Sequence, residues 1–126
     1  MLSICFGITL CTGWTARFCV DDTVPGSIID LLRYNHAEIV NMSGSNDTHG
    51  KIGGMFWRFL VADDARIDRY IVRDTDSRLN ARDRLAVEEW IRSGTGFHII
   101  RDHNCHCKEV PGGMWGAKRG VVKVSC

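Results

Sequence analysis

The stretch whose reading decides the fold is Tyr70-Ile71-Val72-Arg73-Asp74-Thr75-Asp76-Ser77-Arg78. A short apolar, β-prone run stops at two aspartates one residue apart, flanked by two arginines. Read as a strand, it delivers carboxylates to the carboxyl edge of a sheet, the edge at which open α/β folds bind ligands. In extended chain, residues i and i+2 point the same way. Asp74 and Asp76 so placed are expected to hold a hard divalent cation, Mn2+ or Mg2+, which prefers oxygen ligands. A cation there would neutralise a diphosphate and stabilise a departing nucleoside diphosphate. Arg73 and Arg78 would contact phosphate or pair with the aspartates. The plainer reading is a polar strand end at which Asp76 begins a turn.

Upstream of this stretch, Trp14 to Val20 alternates, with Trp14, Ala16, Phe18 and Val20 on one face and Thr15, Arg17 and Cys19 on the other. That is strand periodicity. Pro25 suits a helix start, and Ile28, Ile29, Leu31 and Leu32 make an apolar stripe at helical spacing. Ala37 to Met42 reads as a second strand, so this part is β-α-β, expected to give parallel neighbours. Ser43 to Gly54, rich in Ser, Gly, Asn and Asp, reads as a loop. Met55 to Ala62 is apolar except for Arg58 and is expected to be a mostly buried short helix. An arginine there needs an anion, either Asp74, Asp76 or a bound phosphate.

Downstream, Asn80 is placed to cap a helix with Asp83 in its first turn, and Ala86, Val87, Trp90 and Ile91 mark the buried face. Gly94 suits the residue just past its end. Phe97 to Ile100 reads as a strand ending in Arg101-Asp102-His103. Gly112-Gly113-Met114-Trp115-Gly116 is expected to be a glycine-rich turn, with Trp115 either stacked on a ligand or buried. Val121 to Val124 reads as a last short strand or a ragged end. Met1 to Cys11 is apolar but lacks a basic leader, and it falls short of the roughly 20 residues that span a bilayer. A buried strand, a helix end and a weak signal peptide all fit it.

Composition limits the partners. With 126 residues, the chain suits one domain. Its hydrophobic fraction of 44% and charged fraction of 25% are those of a folded globular protein. A net charge of +1 supplies no global field to recruit nucleic acid, and no later segment is expected to span a membrane. The six cysteines do not follow the spacing of a small disulfide framework. Reduced thiols are therefore expected, which favours the cytoplasm over the secretory lumen. His98, His103, Cys105, His106 and Cys107 are zinc-competent, yet their spacing matches no usual knuckle, and His98 sits in an apolar strand.

Five stretches together resemble a known group of proteins. They are Gly13-Trp14-Thr15-Ala16-Arg17-Phe18 with Val20-Asp21-Asp22; Gly53 to Phe59; Arg73 to Arg78; Phe97 to His103; and Gly112 to Gly116. The set is similar to glycosyltransferase-like proteins of the nucleotide-diphospho-sugar transferase (GT-A) superfamily, and its order resembles that of family 8 glycosyltransferases. The resemblance covers Gly13 to Gly120. It implies an α/β, Rossmann-like, open and mostly parallel sheet with flanking helices, here incomplete, with the chain as one partial domain. It also implies a metal-dependent transferase using a nucleotide-sugar donor and an acceptor that is a glycan, protein or lipid. Asp74 and Asp76 would be the metal pair. Arg58, Arg73, Ser77, Arg78, Gly112, Gly113 and Trp115 would contact the nucleotide sugar. Asp102 or His103 would stand near the reacting centre. Two other readings keep parts of this pattern: an α/β module that binds nucleotide without turnover, and a small zinc-stabilised interaction domain.

Overall fold

A computed structural model describes residues 13–44, 53–76, 78–101 and 109–123, together with the backbone of 2–9. The protein is a mixed α/β fold built on one six-stranded sheet. The strands are β1 (Leu2–Thr9), β2 (Gly13–Val20), β3 (Glu38–Asn41), β4 (Arg69–Arg73), β5 (Phe97–Ile99) and β6 (Met114–Lys118). Helix α1 covers Gly26–Tyr34, a 3-10 helix covers Gly54–Asp63, and helix α2 covers Ala81–Ser93.

The strand order is β3-β2-β1-β4-β6-β5. The β2-α1-β3 unit makes parallel neighbours, as its periodicity predicts. The expectation of a mostly parallel sheet fails, because β1 pairs antiparallel with both β2 and β4, and β6 pairs antiparallel with both β4 and β5. The reason is connection length. Thr9 pairs with Gly13 across three intervening residues, and a parallel crossover needs a dozen or more. Taken together, these pairings make β2, β3, β4 and β5 run in one direction, with β1 and β6 reversed between them.

Alternation along β4 separates two cores. Tyr70 and Val72 face the 3-10 helix and pack with Val61, Ala62, Ile67, Trp115 and Ala117. Ile71 faces the other way, onto Val87 and Trp90 of α2. Helix α2 is the element that local chemistry specifies most completely. The Asn80 side chain accepts from the backbone N–H of Arg82 and Asp83, and Gly94 closes the helix in the left-handed region at φ 73°. Helix α1 begins after Pro25 as expected, yet none of its residues is buried. Its apolar stripe is there, but Leu31 is 57% and Tyr34 82% exposed.

Near the C-terminus one expectation is corrected and one alternative is settled. Met114 to Gly116 is part of strand β6 between β4 and β5, not a turn around two bulky residues. Glycine is tolerated inside that strand because space forbids anything else. A Cβ on Gly116 would come within 2.7 Å of the Tyr70 carbonyl oxygen and 2.9 Å of an Ile71 methyl. Residues 121–123 form no strand; the chain turns at 119–121. Within Met1 to Cys11, left open in sequence, Leu2–Thr9 forms strand β1 between β2 and β4.

Candidate functional site

The carboxyl edge of the codirectional strands gathers the chemistry. Leaving β2, α1 and β3 lie to one side; leaving β4, α2 and β5 lie to the other. That reversal of direction is where open α/β sheets leave a crevice. Here β1 fills the interval between β2 and β4, and Asp74 is the first residue beyond β4.

Asp74 is held from two sides. Arg58, projecting from the 3-10 helix, donates from Nη1 to Asp74 Oδ1. The anion that a mid-helix arginine requires is therefore Asp74, sixteen residues away in sequence. The arginine side chain is 14% exposed and the aspartate 47%. On the other side lies Gly113, at the turn that begins β6. A Cβ there would sit 2.2 Å from Asp74 Oδ2, 2.4 Å from its Cγ and 2.8 Å from its backbone nitrogen. Gly113 thus serves the site by leaving room for the Asp74 carboxylate. Arg58, Asp74 and Gly113, from three separate elements, converge.

The other expected residues divide. Asp76 is exposed, and Thr75–Asp76 form a turn. The extended i, i+2 geometry assumed for the pair therefore stops at Asp74, and the turn reading of Asp76 holds. Arg73 is not at the edge. Strand alternation sends it to the face opposite Asp74, beneath α2, where it is 1% exposed. Its Nη1 donates to the carbonyls of Val72 at 2.8 Å and Trp115 at 3.3 Å, and its Nε lies 3.5 Å from the Asp83 carboxylate. That last contact is a charge contact without hydrogen-bond alignment, since Nε and Nη2 have no hydrogen-bond partner. Burial pushes the Arg73 guanidinium below its ordinary range, against the pull of Asp83.

Trp115 is likewise corrected from ligand contact to core. It is 2% exposed, stacked on Phe59 at 5.6 Å and Phe97 at 5.5 Å, with Tyr70 edge-on at 5.6 Å. Its register partner Val72 faces the same core, so the β6 pairing dictates this placement. Gly112 and Arg78 are exposed at the surface. Ser77, Asp102 and His103 lie outside the described residues, as do Cys105, His106 and Cys107. His98 is half-buried and stacked on Trp90 at 5.3 Å, and burial holds its pKa low. That is the packing of a core histidine.

Sequence reading missed a charge network that fixes the 3-10 helix. Arg17 on β2 donates to Glu38 on β3 at 2.7 Å and to Asp64 at 2.6 Å. Asp64 caps the C-terminal end of the helix that carries Arg58. Arg66 closes the set, reaching Asp64 at 2.6 Å and Glu38 at 3.1 Å. Hydrogen bonds from Arg66, then Arg17, hold the Asp64 carboxyl far below the usual carboxylate range. Burial works against Glu38, yet its bonds to Arg17 and Arg66 still lower it. The one local signal was Arg17 sharing a strand face with Cys19; its partners are too distant in sequence to read.

Asp74 follows β4 directly and Asp76 lies in the turn beyond it, so the two carboxylates do not share the extended geometry expected of a metal pair. Among the described residues, no group of three or more His, Cys, Asp or Glu gathers as a metal cage. A groove of about 750 Å3 lies elsewhere, lined by Trp14, Ala16, Ile71, Leu79, Val87 and Ile91 among others. It includes none of Arg58, Asp74 or Gly113. We place the site at Asp74 because charge and close approach coincide there, whereas the groove floor is mainly apolar. Comparisons with protein-family models, with curated proteins and with solved structures returned no match.

Proposed function

We propose that this chain is the donor-binding part of a metal-dependent glycosyltransferase, holding the diphosphate of a nucleotide sugar at the carboxyl edge of β4. The observation that carries the reading is the convergence of Arg58, Asp74 and Gly113 at that edge. A Rossmann-like, GT-A-like architecture belongs to the same proposal. It draws support from four strands running one way and from the change of winding direction around β1. The reversed strand β1 is a departure from that architecture.

In this reading, Asp74 and Asp76 hold Mn2+ or Mg2+, which supplies charge neutralisation of the diphosphate when bound. Arg58 contributes charge-assisted hydrogen bonds to phosphate oxygens from a helix whose C-terminal end is pinned by Arg17 and Asp64. Arg78, exposed beyond the turn, is free to approach the same anion. The acceptor, a glycan, protein or lipid, would meet the donor from the solvent side of this edge. Gly113 keeps the Asp74 carboxylate in place, and Trp115 stiffens the strand behind it.

Calorimetric titration with uridine and guanosine diphosphates, with and without Mn2+, tests the reading. Metal-dependent binding that is lost in Asp74→Asn is the expected result. A folded protein that binds no nucleoside diphosphate in Mn2+ would overturn it. Hydrolysis or transfer of the corresponding nucleotide sugars then separates a working transferase from a module that only binds.

A further inference from the structure

We propose that helix α1 is a self-association surface, on which a second copy of this chain lays its own α1 end for end. The inference is independent of the reading of the β4 edge.

The surface is an apolar stripe on a helix none of whose residues is buried. Ile28, Leu31 and Tyr34 recur at three-residue spacing, so they follow one side of α1. All three are exposed, whereas Ile29 and Leu32 on the other side are half-buried. Large apolar side chains gathered on the outward side of a helix mark a contact surface, since single ones are ordinary but a contiguous row is not.

Two features select a second copy as the occupant. The first is spacing. Leu31 is the midpoint of the stripe, three residues from Ile28 and three from Tyr34. Turned end for end about a two-fold axis at Leu31, a second α1 sets its Leu31 against this one and its Tyr34 beside Ile28. Such self-complementarity is what a two-fold interface requires. The second is charge. At 100° per residue, Asp30 and Arg33 both flank the Tyr34 side of the stripe, and they pair with each other at 3.6 Å. Like flanks face each other in an antiparallel helix pair. The same reversal therefore brings Asp30 near Arg33 of the second copy, and Arg33 near its Asp30. Opposite charges meet twice, and no like charges are forced together. Size sets the strength. Nine residues make a helix about 14 Å long, so the contact belongs at the small end of specific interfaces and the dimer is weak.

Sedimentation of the full chain over a concentration series at low salt tests the proposal, on wild type, Leu31→Glu, Asp30→Arg and Arg33→Asp. These exposed positions carry no core packing, and circular dichroism checks that each variant is folded. Wild type should dimerise reversibly at high micromolar concentration. Leu31→Glu sets two carboxylates together at the axis and should weaken the dimer at least about tenfold. Asp30→Arg and Arg33→Asp each make the facing flanks alike in charge, and each alone should weaken it roughly tenfold. Mixed in equal amounts, these two should pair at least as tightly as wild type, because the basic flank of one then faces the acidic flank of the other. That rescue separates contact between copies from the Asp30–Arg33 bridge within one helix, which stays broken in both variants. A wild type that remains monomeric at millimolar concentration would overturn the proposal and leave the stripe to another protein or another segment of the chain. A dimer indifferent to Leu31→Glu, or charge variants that fail to pair when mixed, would overturn it equally.

Discussion

Gly113→Ala isolates the packing on which the site depends. The added Cβ meets Asp74 Oδ2 at 2.2 Å and its backbone nitrogen at 2.8 Å. Rotating the aspartate relieves the first contact but not the second, so β4 and the turn before β6 must part. Overpacking of this kind costs about 1–3 kcal/mol. A half-exposed ion pair such as Arg58–Asp74 adds about 0.5–1 kcal/mol if lost. Replacing glycine returns about 0.4–1 kcal/mol through the unfolded chain. The net loss is about 1–3 kcal/mol. With an unfolding entropy of about 2.1 cal/mol/K per residue, that lowers Tm by about 4–12 °C. Gly112→Ala is the control. A Cβ there meets nothing within 4 Å, so only the unfolded-chain effect remains and Tm should rise by about 2–4 °C. Calorimetric melts of the two variants beside wild type decide it. If Gly113→Ala melts with Gly112→Ala, the close approach of Asp74 to Gly113 is wrong, and the site loses its frame.

Other changes test the surrounding structure. Trp115→Ala should cost about 3–5 kcal/mol by chemical denaturation, because the ring is enclosed by Phe59, Phe97 and Tyr70; a near-neutral result would mean that the ring is not core. Asp64→Asn should cost about 1–3 kcal/mol at neutral pH by leaving Arg17 and Arg66 short of an acceptor. The same network sets the acid response. Asp64 and Glu38 titrate below their ordinary range when folded, so the unfolded chain binds more protons there, and the stability they contribute is full above the unfolded carboxylate range of about pH 4–5 and is lost progressively as pH falls below it toward the lowered folded values; Asp64→Asn should flatten that fall in denaturation curves. Burial pushes the Cys19 thiol up to about 11, so it should resist alkylation at pH 8 in the folded protein and react on unfolding; fast labelling of native Cys19 would contradict its burial.

What was legible in the sequence followed from strong local rules. Asn80, Asp83 and Gly94 specify both ends of α2, and the apolar run Tyr70 to Val72 specifies β4. Arg58 was legible as an arginine needing an anion, because an unpaired charge in an apolar helix is costly. Strand β6 was not, since glycines at 112, 113 and 116 together read as turn until the sheet shows what crowds Gly113 and Gly116. Arg73 and Trp115 were misplaced for a shared reason. Both look like ligand contacts by residue type, but the face each occupies follows from β4 and β6 alternation and pairing, which appear only once the strands are in register. The extended geometry assumed for Asp74 and Asp76 ended one residue early, at the Thr75–Asp76 turn. The Arg17–Asp64 bond spans 47 residues and leaves no local trace.

The central claim is that the β4 edge takes a divalent cation beside Arg58 and Gly113. Paramagnetic broadening of backbone amides by substoichiometric Mn2+, with a nucleoside diphosphate present, tests it most directly. The account predicts selective loss of the Asp74, Thr75, Asp76, Gly112 and Gly113 signals, with Trp90 and His98 on the far face of the sheet preserved. Broadening centred elsewhere, or none at saturating Mn2+ and nucleotide, would contradict it.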